Sequence, residues 1–126
     1  MPDISKCSDL RNLSLSDKLD EIYTLTNDLD FGSVECLFPI GSEKKPFTGR
    51  FLGNGYSIKN LLIKEEFMKN VGLFGVLGEG AEIRDLTIIN AKIIGYKNVG
   101  ILYGQIQGSV FINNCKILGC RAISID

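Results

Sequence analysis

The sequence predicts a mainly β protein: a short parallel β-helix, or β-solenoid, of about three to four coils, with an amphipathic helix capping its N-terminal end. The first observation behind this is a repeated register of Ile, two residues, an apolar residue, one residue, Ile. It occurs as Ile58, Leu61, Ile63, then Ile83, Leu86, Ile88, then Ile112, Cys115, Ile117, in steps of 25 and 29 residues. Periods of this length mark solenoids, whose units bury their apolar sides against one another. The second observation is that Asn60, Asp85 and Asn114 stand where strict alternation slips by one residue. Asn and Asp enter left-handed backbone more readily than other non-glycine residues, so these positions read as corners between short strands. The third is the glycine-rich lead-in before each corner: Phe47 to Gly55, Val71 to Gly80 and Val99 to Gly108. Glycine permits tight corners and close backbone approach. A flat antiparallel meander is the competing arrangement. Constant spacing within repeats and variable connectors between them, residues 64–70 and 89–98, favour stacked coils.

In chain order, residues 1–22 read as a lead and capping helix and residues 23–126 as the repeat region, together one domain. Residues 1–13 show no strong periodicity. A helix is expected from Ser14, because Ser14 with Asp17 forms an approximate capping box and Leu15, Leu19 and Ile22 share one face. Laid across the end of a coil stack, it covers the exposed backbone edges there. Tyr23 to Phe31 alternates as a first strand. Its Asn27, Asp28 and Asp30 read as corner residues, since a calcium loop needs further oxygen ligands and a distal bidentate Glu. Residues 41–49 form a charged loop.

The formal charge of −1 argues against nucleic acid as the main partner. Residues 1–30 carry seven acids and three bases, so an acidic leading segment precedes a mildly basic body. No stretch has the length and apolarity of a membrane span. The N-terminus lacks a charged start and apolar core of the signal-peptide kind, which places the chain as written in the cytosol. As part of a longer secreted protein it would instead stand at the cell surface. Cys7, Cys36, Cys115 and Cys120 permit two disulfides in three possible pairings. Cys115 holds an inward register position and reads first as a small core residue. The absence of histidine and of any CxxC pair makes zinc improbable. No cofactor motif is present.

The succession YTLTNDLDF, PIG at Pro39 to Gly41, PFTGRFLGNGYSIKNLLI, VGLFGVLGEGAEIRDLTI and VGILYGQIQGSVFINNCKILG resembles the GLUG-type repeats of bacterial surface proteins. Those proteins include zinc metallopeptidases that cleave immunoglobulin A. The resemblance covers about residues 20–120 and implies a right-handed, pectin-lyase-like β-helix used as a stalk or binding module. The peptidase chemistry of such proteins lies in a separate histidine-containing domain, and this chain has no histidine to carry it over.

Three function classes follow. Catalysis on polysaccharides needs clustered carboxylates or a carboxylate beside a base in a groove. Glu79, Glu82, Asp85, Lys59 and Arg84 make a thin set for that, so an enzyme is not expected. A protein-binding module, inhibitor or adaptor would work through its connectors, where Glu65, Glu66, Phe67, Met68 and Lys69, with Tyr96 and Lys97, offer free side chains. The competing placement folds Phe67 and Met68 back over the core. A structural or self-assembling unit would work through the C-terminal end, with Cys120, Ile123 and Ile125 as the self-association residues and a homodimer as one product. The expected partner is therefore another protein or a second copy.

Overall fold

Parallel pairing between residues about one coil apart organises the chain: Phe51 stands beside Ile83, and Ile83 beside Ile112. The computed structural model describes residues 2–32 and 37–126. Strand β1 (Asp3–Ile4) and helix α1 (Cys7–Ser14) come first. Strands β2 (Ile22–Leu25) and β3 (Leu29–Asp30) begin the coils. The next coil holds β4 (Arg50–Leu52), β5 (Ser57–Lys59), β6 (Leu62–Val71) and β7 (Phe74–Leu77). Above it lie β8 (Glu82–Arg84), β9 (Thr87–Ile89), β10 (Lys92–Val99) and β11 (Tyr103–Ile106). The last coil carries β12 (Phe111–Asn113), β13 (Lys116–Leu118) and β14 (Arg121–Ser124).

Among the described residues these strands form four sheets, ordered β1-β2-β4-β8-β12, β3-β5-β9-β13, β6-β10-β14 and β7-β11. The sheets are parallel and close a β-solenoid of about three turns, so the meander is excluded. The fourth face is extended by isolated bridges from Ile40 to Phe74 and from Phe47 to Leu77.

The register corrects the repeat alignment read from sequence. Ile58 pairs with Ile88 and Ile63 with Ile93, so the first apolar triplet lies under Ile88, Ala91 and Ile93 and not under Ile83, Leu86 and Ile88. The reason is that the pattern marks a corner, and each coil has two such corners in succession. Ile83, Leu86 and Ile88 turn from the first face to the second; Ile88, Ala91 and Ile93 turn from the second to the third. The supposed connectors at 64–70 and 89–98 are largely strands β6 and β10, paired over most of their length. The segment from Tyr23 to Phe31 is two strands, β2 and β3, with a bend between them.

The helix also lies earlier than expected, over Cys7–Ser14. Asp9 carboxylate oxygen Oδ2 accepts the backbone N–H groups of Ser5 and Lys6 at 3.0 and 3.1 Å, tying down the helix start. Ser14 donates its hydroxyl to the Arg11 carbonyl at 2.7 Å, and Ser16 Oγ accepts from the Lys18 N–H at 2.9 Å. Serine side chains that bond the local backbone compete with helix continuation. Leu15 is accordingly exposed, Leu19 is buried beyond the helix, and Ile22 opens β2. Helix residues Leu10 and Leu13 are buried in the same core as Ile4, Leu25, Leu29 and Phe31. Together with β1, which pairs with β2, they cover the N-terminal end of the stack. Burying two leucines is worth roughly 1.5–3 kcal/mol each before entropy. The interior also holds an aromatic cluster: Phe74 lies 4.9 Å from Phe47 and 5.5 Å from Phe51 between ring centroids.

The corners are built by asparagine. Asn54, Asn60, Asn70, Asp85, Asn90, Asn98 and Asn114 all adopt φ between 53° and 63°. Their side chains are joined from coil to coil. The Asn60 amide donates to Asp30 Oδ1 at 2.9 Å, and Asn90 donates to Asn60 Oδ1 at 2.6 Å. Asn70 donates to Glu43 Oε1 at 2.8 Å and Asn98 to Asn70 Oδ1 at 2.9 Å. Asn114 donates to Asp85 Oδ1 at 2.8 Å. Below Asp85 stands Gly53, whose backbone approaches the Asp85 peptide so closely that a methyl group there would overlap the Asp85 carbonyl.

Two outcomes follow from this packing. Gly53→Ala should lower stability by about 1–3 kcal/mol, the usual cost of overpacking, read by chemical denaturation. The second concerns Asp30, whose carboxyl is held below the usual range by the Asn60 amide and the Gly32 N–H that it accepts. A depressed folded-state pKa gives stability that is present above the unfolded value, near 4, and is lost as pH falls through the lower folded value. Melting temperature should therefore fall more steeply below about pH 4 for the wild type than for Asp30→Asn.

Candidate functional site

Two surfaces stand out once the coils are stacked. One is a ridge on the third face. Glu65 pairs with Gly95 and Lys69 with Lys97, so three residues of β6, Glu66, Phe67 and Met68, oppose the single Tyr96 of β10. A strand with extra residues bulges away from its neighbour. Phe67 sits on this bulge and is 97% exposed, whereas Met68 and Tyr96 are each a little over one-third exposed. The structure thus gathers Glu65, Glu66, Phe67, Met68, Lys69, Tyr96 and Lys97 into one patch from two segments far apart in sequence. Phe67 does not fold back over the core. Lys64 pairs with Glu66 at 3.7 Å with both side chains about half exposed, so solvent leaves that ion pair little energy.

The second surface is the C-terminal end of the stack. Ile83 and Ile88 are 0% and 1% exposed, while Ile112 and Ile117, one coil above in register, are 38% and 44% exposed. Cys115 and Cys120 lie over Leu86 and Ala91, partly buried and packed against the core. Each thiol lies within reach of two backbone carbonyls, one in the coil beneath and one in its own coil: Ile83 and Asn113 for Cys115, Ile88 and Leu118 for Cys120. Burial pushes the Cys115 thiol above its ordinary value. Cys115 and Cys120 are free thiols, and Cys36 lies outside the described residues.

Of the residues expected at this end, Cys120 belongs to the inner row. Ile123 pairs with Ile94, outside the core, and Ile125 follows β14 with its side chain 53% exposed. Ile112 and Ile117, visible in sequence as repeat positions, are the larger part of the open row. Asn98 and Asn114, whose side-chain carbonyls top two of the ladders, complete its rim. A clue to the asparagines was the recurrence of Asn at strand ends, at Asn70, Asn90 and Asn98 as well as at the three corners first read.

The carboxylates that the enzyme reading considered are engaged in structure. Asp85 accepts from Asn114, and Glu79 Oε1 accepts from the Ser109 N–H at 2.9 Å. Glu82 lies 3.5 Å from Arg50 and 3.3 Å from Arg84 on the outside of the first face. Asp28 and Asp30 accept from Ser57 N–H and the Asn60 amide, as corner residues do. No helix of the described residues is long and apolar enough to cross a membrane.

No protein-family model matches the chain, and no solved structure matches it. Over 99 residues, 72% of this chain, it is 32% identical to a protein titled halomucin from Haloquadratum walsbyi, of which it spans 1%. Over 81 residues, 63% of the chain, it is 34% identical to a putative Gly-rich membrane protein from Evansella cellulosilytica, of which it spans 9%. The chain is therefore similar to short stretches of much longer proteins.

Because Phe67 is solvated, replacing it removes no packing. The variant Phe67→Ala should unfold cooperatively within about 0.5 kcal/mol of the wild type, as surface substitutions do, in thermal or urea unfolding.

Proposed function

We propose that the chain is a non-enzymatic structural segment of a surface or membrane-associated protein, a length of β-solenoid stalk that also presents a protein-binding ridge. The observation that carries this reading is the half-exposed inner row of the last coil, in register over rows that are fully buried. Solenoid coils bury their apolar sides against the next coil, so such a row is a place where a stack is extended. The GLUG-type resemblance supports the same reading, since it implies stalks and binding modules of bacterial surface proteins. So does the length of the similar proteins, one of which is titled a membrane protein. The non-enzymatic part is supported by the engagement of Asp30, Glu79, Glu82 and Asp85 in corners and ion pairs, which leaves them poorly placed for acid and base work.

A second reading, an adaptor that acts chiefly through the third-face ridge, is favoured by the full exposure of Phe67. Lone exposed apolar residues are ordinary; an aromatic at the tip of a bulge with Met68 and Tyr96 beside it is the composition of a binding patch.

The stalk reading is tested by location. Antibodies raised against the folded chain should label intact cells that make the protein, and protease added outside should remove that signal. Labelling only after lysis would overturn it.

A further inference from the structure

The inter-coil ladders share one direction. At the foot of three of them stands a carboxylate, Asp30, Glu43 or Asp85, while Asn54 donates instead to the Leu25 carbonyl. An ionised carboxylate only accepts hydrogen bonds. The amide above it must turn its NH2 group toward the N-terminal end: Asn60 over Asp30, Asn70 over Glu43, Asn114 over Asp85. The carbonyl of each amide then faces the C-terminal end, and Asn90 and Asn98 repeat the arrangement one rung higher. Ser109 N–H over Glu79 and the Ser124 hydroxyl over the Tyr96 carbonyl keep the same sense. Carboxylates thus set a polarity along the stack that ends in outward-facing acceptors on Asn98 and Asn114.

The two ends differ in a second way. Helix α1 and strand β1 cover the N-terminal end, so a second copy cannot place that end on the open row. Two copies meeting through their open ends would each offer the other only acceptors from Asn98 and Asn114, with no corner donor to meet them. The amides cannot flip to relieve this, because the Asn114 NH2 group is held by Asp85 and that of Asn98 by the Asn70 carbonyl, which Glu43 orients in turn.

We propose that the open end recognises the next coil of a longer solenoid, running in the same direction and donating from Asn-type corners, and that it rejects a second copy turned end to end. This rests on the stacking reading above and adds the chemistry of what is stacked. The similar proteins are many times longer than this chain, which is where such a coil would be found.

The test extends the full chain. Gly95 pairs with Ser124, so the residue after Asp126 would stand over Asn98. A duplicate of residues 98–126 joined there supplies one coil in register, with its corner asparagines over Asn98 and Asn114. A matched extension carries Asp in place of those two duplicated asparagines. Asp is nearly isosteric and tolerates the corner conformation, as Asp85 does at φ 56°, but it presents acceptors. The measurements are Tm and the alkylation rates of Cys115 and Cys120, with the same two thiols of the unextended chain as the reference. The Asn extension should raise Tm by about 5 °C or more and slow alkylation of both cysteines at least about tenfold, with the Asp extension achieving less than half of the Tm gain. Equal gains from both extensions would overturn the directional recognition and leave the stacking reading standing. No protection by either extension would overturn stacking itself. A wild-type dimer in sedimentation, with Cys115 and Cys120 protected in it, would overturn the rejection of a second copy.

Discussion

The structure depends on one constraint: coils must sit in register so that the left-handed corners Asn90, Asn98 and Asn114 lie over the left-handed corners Asn60, Asn70 and Asp85. A non-glycine residue with positive φ is costly unless its surroundings fix it there. Here the cost is offset between coils, because Asn60, Asn70, Asn90, Asn98 and Asn114 each donate to a side chain of the coil beneath, and Asn60 and Asn70 accept from the coil above. Carboxylates at the foot of the ladders give charge-assisted bonds, which are stronger than neutral ones. With the corners aligned, Ile58 falls under Ile88 and Ile63 under Ile93, and the interior closes without further specification.

Solenoid stability is a sum of unit and neighbour terms, so the ends are where it is decided. The N-terminal end is closed by Leu10, Leu13 and the paired strand β1. The last coil has no such cover among the described residues, and its Ile112 and Ile117 keep more than a third of their surface in water. That asymmetry gives the stack a direction, and the amide ladders point the same way. The ridge around Phe67 lies on a side and not on an end, so it is separate from the open row.

Legibility of the site followed the range of the interactions that build it. The ridge residues were readable as a set because charged and apolar types cluster at Glu65 to Lys69 and at Tyr96 and Lys97. That they form one patch was not, since it depends on the pairing of β6 with β10 and on the unequal lengths of the two bulged segments. The helix was misplaced because Ser14 and Asp17 imitate a helix start, while the actual start rests on Asp9 gathering N–H groups from Ser5 and Lys6. Leu10 and Leu13, three residues apart, were the available signal.

By itself the sequence determined the class of structure. Short apolar rows, corner asparagines and close-approach glycines are local properties, and each residue type has few other backbone solutions. The tertiary structure decided the register, because the same Ile, apolar, Ile pattern marks two successive corners of each coil and both alignments satisfy local rules. Only the energy of stacking whole coils, with Asp30, Asn60 and Asn90 in one line and Phe51 beside Ile83, separates them. Exposure of the last inner row was decided at that level too, since a repeat position shows what it can bury but not whether a neighbour is there to bury it.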